Sequence, residues 1–135
     1  MKIFLDSSNI DEIKPLNKTG LIDGITTNPS LLGKQKGNFK KILKSIATEV
    51  KGPISAEVTA TQSNKMIEEA KILQKISKNI VIKIPLTLEG LVACKHLTSK
   101  KFKVNVTLCF SASQAVLAAK AGATFISPFI GRLDD

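Results

Sequence analysis

Ile80-Val-Ile-Lys-Ile-Pro-Leu-Thr87 sets one lysine inside a run of β-branched apolar residues. Alternation along a strand puts Val81, Lys83 and Pro85 on one side and Ile80, Ile82 and Ile84 on the other. Both sides are largely apolar, as in a parallel strand covered on both faces. A lysine near a strand end can pack its stem and send its ammonium to water. Buried instead, the group loses hydration, and the neutral amine is the nucleophile that Schiff-base chemistry needs. The neighbouring segments decide between these two readings.

Outward from this stretch, short apolar strands alternate with amphipathic helices, the pattern of βα units on a parallel sheet. The sequence predicts strands over 2–6, 24–27, 54–59, 80–85, 103–110 and 123–129. Helices are predicted over 10–17, 38–50, from about 63 through 75, over 91–99 and from 112 to Gly122. Ser7, Ser8 or Asn9 can cap the first helix, Thr61 or Ser63 the third, Thr87 the fourth and Ser111 the fifth. Phe39, Ile42, Leu43 and Ile46 recur at helical spacing, as do Met66, Ile67, Ala70, Leu73 and Ile76. Asn28-Pro29-Ser30 reads as a loop or a first helical turn.

Six parallel strands and five helices at about two dozen residues per unit match the front of a (β/α)8 TIM barrel, which normally needs roughly 200 residues or more. The expected architecture is therefore one incomplete α/β barrel domain, residues 1–135, with the last two units missing: a truncated gene, an expressed fragment or a piece closed by another chain. An open doubly wound sheet fits less well, because no Gly-x-Gly-x-x-Gly follows any strand.

Each strand has a wholly apolar side suited to a helix layer, and another side that ends in polar residues. Phe4 and Asp6 alternate against Ile3 and Leu5; Gly24, Thr26 and Asn28 against Ile25; Ser55, Glu57 and Thr59 against Ile54, Ala56 and Val58. Asn105 and Thr107 oppose Val104, Val106 and Leu108, and Phe125, Ser127 and Phe129 oppose Ile126 and Pro128. Turned inward, Asp6, Thr26, Asn28, Glu57, Lys83, Asn105, Thr107 and Ser127 converge at the C-terminal mouth, where barrel enzymes keep their chemistry. Any one of them has an ordinary structural use: a cap for Asp6, a β-former for Thr26, a turn for Asn28. A whole set on one parity points to a site, since burying polar groups is costly.

Composition bounds the function classes. With 43% hydrophobic residues the chain is globular, no apolar run approaches a membrane span, and the N-terminal Met-Lys-Ile-Phe-Leu-Asp is too short and too soon acidic for a signal peptide. A cytoplasmic protein is expected, with Cys94 and Cys109 reduced. The net charge of +9 comes from 20 basic residues, all lysine but Arg132. Nucleic-acid binding is disfavoured, because Trp and Tyr are absent and the lysines are scattered. A lysine-rich surface that steers anionic substrates fits better. One histidine, His96, in a helical segment, is too little for a histidine-rich metal site and reads as a surface or interface residue.

Leu5-Asp6-Ser7, Gly24-Ile-Thr-Thr-Asn-Pro-Ser30, Ala56-Glu57-Val58, Val81-Ile-Lys-Ile-Pro85, Asn105-Val-Thr-Leu-Cys-Phe-Ser111 and Ser127-Pro-Phe-Ile-Gly-Arg132 together resemble the transaldolases. The resemblance is to the small bacterial type related to fructose-6-phosphate aldolase, over about its first three-fifths. It implies a cofactor-free transfer of a dihydroxyacetone unit between sugar phosphates in the pentose phosphate pathway. Fructose 6-phosphate, erythrose 4-phosphate, sedoheptulose 7-phosphate and glyceraldehyde 3-phosphate are the implied substrates and products. Lys83 matches the Schiff-base lysine and Asp6 the acid/base at the C4 hydroxyl. Glu57, with Thr107 and a water, matches the group that shuttles protons in iminium formation and hydrolysis. Thr26, Asn28, Asn105, Ser127 and Phe129 match substrate-binding positions, and Arg132 the phosphate-binding arginine.

Where fructose-6-phosphate aldolases usually have glutamine and tyrosine, this chain has Glu57 and Phe129, which resembles the transferase pattern and favours transfer over release of free dihydroxyacetone. The resemblance also implies a homo-oligomer for a full-length barrel, and neither a nucleic-acid nor a membrane partner. A catalytically dead subunit, needing a partner to close its barrel, is the rival reading from another class. On that ground poor turnover is expected of the 135 residues alone.

Overall fold

The computed structural model describes residues 1–34 and 38–131. They form two compact units, the first of residues 1–57 with 72–81, the second of residues 58–71 with 82–135. Among the described residues six strands, β1 to β6, follow one another along the sheet in chain order. The strand pairs whose registers are defined are parallel. This succession of βα units is that of a partial (β/α)8 barrel.

The first unit holds β1 (Phe4–Asp6), α1 (Ile10–Asn17), β2 (Gly24–Thr26), α2 (Pro29–Lys34), α3 (Phe39–Glu49) and β3 (Ile54–Glu57). Asn9 is the cap that starts α1, its side chain accepting from the Asp11 amide at 3.0 Å. α2 is a sixth helix beyond the five expected, short and opened by Pro29, whose fixed φ suits a first turn. Ile13, Ile25, Leu43, Ile46 and Ile54 are fully buried. Phe39, expected on the apolar stripe of α3, is exposed in its first turn.

The second unit holds most of α4 (Ser63–Gln74), β4 (Ile80–Pro85) from Ile82 onward, α5 (Leu88–Ser99), β5 (Val104–Cys109), α6 (Ala112–Lys120) and β6 (Phe125–Pro128). Its apolar interior is built on Met66, Ala70, Ile82, Ile84, Ala93, Leu97, Val104 and Val106. The predicted strand to Thr59 stops at Glu57. Beyond it the Thr59 and Ala60 amides donate to the Glu69 carboxylate, at 2.7 and 3.0 Å, instead of to a neighbouring strand.

Thr87 caps α5, accepting from the Gly90 amide at 2.9 Å. Gly90 lies so close beneath β4 that a Cβ there would collide with the Pro85 carbonyl oxygen. Ser111 caps α6, and Gly122, at φ +96°, ends that helix in the left-handed region where glycine is favoured. No helix among the described residues is long and apolar enough to cross a membrane.

Candidate active site

In the first unit the polar side chains bond to one another and to nearby backbone. Asp6 aligns with Thr26 and Thr26 with Ser55, so the three share a side, and Glu57, two residues past Ser55, shares it too. The Thr26 hydroxyl donates to Asp6 Oδ1 at 2.8 Å and thereby orients an exposed carboxylate. Directly after Asp6 the chain is pinned: the Ser7 amide donates to the Thr26 carbonyl at 3.1 Å and the Ser7 hydroxyl to Glu12 at 2.6 Å. The buried Ser8 hydroxyl donates to the Leu31 carbonyl at 2.9 Å, which ties this loop to α2. Asn28 caps the same helix, its Oδ1 accepting from the Leu31 amide at 2.9 Å.

In the second unit Lys83 is 7% exposed, far below the ordinary state of a lysine. Lys83 aligns with Asn105 and Asn105 with Phe125; one step along, Pro85 aligns with Thr107 and Thr107 with Ser127. Lys83, Asn105, Thr107 and Ser127 therefore lie on one side of the sheet, at two successive levels. Ser127 donates to Asn105 Oδ1 at 2.8 Å, fixing that carboxamide's orientation.

Thr107 is 1% exposed, and its hydroxyl has no hydrogen-bond partner among the described residues. Burying such a group unpartnered costs roughly 1–3 kcal/mol. A threonine here is not explained by the packing of the fold.

β5 is irregular just past this point. Thr107 aligns with Ser127, but it is Cys109 that aligns with Pro128, and Leu108 between them takes φ +58°. The Phe129 amide donates to the Cys109 carbonyl at 3.0 Å, and the rings of Phe110 and Phe129 meet with centroids 5.7 Å apart. The sequence reading had no sign of this bulge, since no glycine marks it.

Of the residues expected to form a site, the structure pairs Asp6 with Thr26 and Asn105 with Ser127, sets Lys83 level with Asn105, and engages Asn28 in a helix cap. Arg132 lies outside the described residues. His96 is exposed on α5, as a surface residue should be. Cys94 and Cys109 are free and buried, and burial pushes the Cys94 thiol up to about 11, against a small opposing effect of Lys95.

A family model described as "Transaldolase/Fructose-6-phosphate aldolase" matches residues 3–135. The chain belongs to this family. Among curated members it is 59% identical over 135 residues to a "Probable transaldolase" of Bartonella tribocorum and 59% to one of Brucella ovis. It is 61% identical to one of Parvibaculum lavamentivorans. Each match takes in all of this chain and 62% of the relative, so the chain spans about three-fifths of these relatives' length.

Among solved structures, the carboxyl transferase domain of Rhizobium etli pyruvate carboxylase, determined with pyruvate, superposes with a TM-score of 0.64 over 93% of this chain and 26% of that one. The same domain with 3-bromopyruvate gives 0.61. At 15% identity in both cases, the likeness concerns the fold alone.

Proposed function

We propose that this chain carries the covalent centre of a transaldolase, in which Lys83 holds a dihydroxyacetone unit as a Schiff base between two sugar phosphates. Family membership supports the reading, and the observation that carries it is the presence, on one side of the sheet, of a buried lysine and of a buried hydroxyl with no partner among the described residues. The Lys83 amine adds to the C2 ketone of fructose 6-phosphate, giving a carbinolamine that loses water to form an iminium. Asp6 takes the proton of the C4 hydroxyl, the C3–C4 bond breaks, and its electrons pass to the iminium as glyceraldehyde 3-phosphate leaves. The enamine on Lys83 then attacks the aldehyde of erythrose 4-phosphate, and water releases sedoheptulose 7-phosphate and the free amine.

Glu57 and Thr107 move protons in the carbinolamine steps through a water, a contribution of about 10²–10⁴ in rate for well-placed acid–base groups. Thr26, Asn28, Asn105 and Ser127 hold the hydroxyls of the three-carbon unit, and Arg132 holds phosphate. Phe129 offers no hydroxyl to an attacking water, which favours transfer over release. The same reading places the protein in the cytoplasm and in the pentose phosphate pathway.

Borohydride added to the chain with fructose 6-phosphate should fix the substrate to Lys83, read as a mass increment on the peptide that contains it and lost in Lys83→Met. A folded protein whose increments spread over surface lysines, with Lys83 unmodified, would disprove the assignment.

A further inference from the structure

β1 is three residues long and, among the described residues, pairs only with β2, so Asp6 stands at the end of a short strand held from one side. Such ends fray unless the chain beyond them is fixed. Here Ser7 fixes it. Ser7 is 5% exposed and uses three hydrogen-bonding groups at once. Its amide donates to the Thr26 carbonyl at 3.1 Å, its hydroxyl oxygen accepts from the Asn9 amide at 3.1 Å, and the hydroxyl proton goes to Glu12 Oε2 at 2.6 Å. Thr26 is thereby gripped twice, at its carbonyl by Ser7 and at its hydroxyl by Asp6. Without the first grip, the Asp6 carboxylate is held by a single exposed hydrogen bond.

Glu12 is the third residue of α1, the position from which a capping-box carboxylate reaches back to the amide of the cap. It does not do so here. The Asn9 amide is taken by the Ser7 hydroxyl, and Glu12 ends on that same hydroxyl. A short, charge-assisted bond therefore serves the residue next to Asp6 instead of the cap itself. Asp11 lies in the same first turn and complements the helix dipole as Glu12 does, so the dipole alone gives no reason for Glu12 to reach Ser7.

We infer that Glu12 is a positioning residue for the bond-breaking step: through Ser7 it fixes the end of β1 and keeps the Asp6 carboxylate in the orientation set by the Thr26 hydroxyl. The inference rests on the proposed part of Asp6 in breaking the C3–C4 bond and goes beyond it, because neither Glu12 nor Ser7 touches substrate in that mechanism.

The test separates two adducts of different mass on Lys83. Before the C3–C4 bond breaks, borohydride fixes a six-carbon phosphate; afterwards it fixes a three-carbon unit. Quenching at intervals after fructose 6-phosphate is added to the whole chain therefore times the Asp6 step apart from the Lys83 step. Glu12→Ala should load the six-carbon adduct at the unaltered rate and convert it to the three-carbon one about tenfold more slowly, a modest effect for a small misplacement at a reacting centre. Glu12→Gln, which keeps an oxygen for the Ser7 hydroxyl, should restore most of the conversion. Asp11→Ala, which removes the neighbouring charge of the same turn, should leave conversion unchanged.

A Glu12 that only stabilises α1 would lower the thermal midpoint and leave the conversion as it was. Unaltered conversion in folded Glu12→Ala, or in Ser7→Ala should the first variant not fold, overturns the inference and leaves Asp6 standing; equal slowing in Asp11→Ala also overturns it. Asp6→Asn tests the reading beneath, since it should load the six-carbon adduct and hold it there. Conversion at the unaltered rate in Asp6→Asn, or absence of any Lys83 adduct in the unaltered chain, overturns both.

Discussion

The two units differ at one buried hydroxyl. In the first, Asp6, Ser7, Ser8, Thr27 and Asn28 each have a named partner within a few ångströms, and several of these bonds close loops or cap helices. In the second, a lysine and a threonine hydroxyl are buried in the sheet, and the threonine is unpartnered among the described residues. Satisfied polar groups stabilise a fold and so are weak evidence of chemistry. Unsatisfied ones cost stability, and their presence needs another explanation.

The largest expected effect is the loss of the borohydride adduct in Lys83→Met, with the fold retained. A long apolar side chain keeps the packing of the buried lysine stem. Next comes a matched pair of substitutions. Thr107→Val removes the unpartnered hydroxyl: adduct formation should slow by about a hundredfold, as expected of a lost proton-transfer group, with stability unchanged or higher. Thr27→Val removes a buried hydroxyl that donates to the Ser55 carbonyl at 2.7 Å. It should cost about 1 kcal/mol in denaturant unfolding and leave adduct formation near the unaltered rate. Equal stability losses from the two valines would erase the contrast between the units.

How much of this was legible from sequence follows from what each signal depends on. α1, with Asn9 one of the three caps the sequence offers, and the alternation along β4 and along β5 as far as Thr107, follow from local chemistry and a period of two, so they appear where they were expected. α2 was hidden because Asn28-Pro29-Ser30 is equally good turn chemistry, and six residues give no periodicity to read. The early end of β3 depends on Glu69, ten residues further on, competing for the Thr59 amide. Within the site, the shared parity of Lys83, Asn105, Thr107 and Ser127 was readable. The lone hydroxyl of Thr107 and the ring contact of Phe110 were not, since both depend on what surrounds them in space.

Two smaller effects sharpen the contrast through pH, and both arise in the second unit. Cys94 is neutral in either state below its ordinary pKa of 9.0, and its burial raises the folded value to about 11. The stability it confers is therefore full below pH 9 and lost as pH rises from 9 to about 11. Cys94→Ala should remove that part of the alkaline loss in unfolding curves, whereas an identical alkaline profile would show the thiol contributes nothing. Least of all is Glu89, an exposed carboxylate held below its usual range by accepting the Ser63 amide at 2.7 Å. Its contribution is present above the ordinary carboxylate range and lost as pH falls through the folded value. Glu89→Gln should show a slightly flatter acid limb, with faster amide exchange at Ser63.

The bare α-carbon of Gly90 has a consequence for anyone who would remodel this enzyme family. Because α5 meets the end of the lysine-bearing strand main chain to main chain, the spacing there is set by two backbones and cannot be tuned by repacking. Even one methyl would lever the helix outward and carry the Pro85 peptide, two residues from Lys83, along with it. The side chains around Lys83 can be exchanged, but the depth at which the strand end sits is fixed by an atom the sequence leaves out.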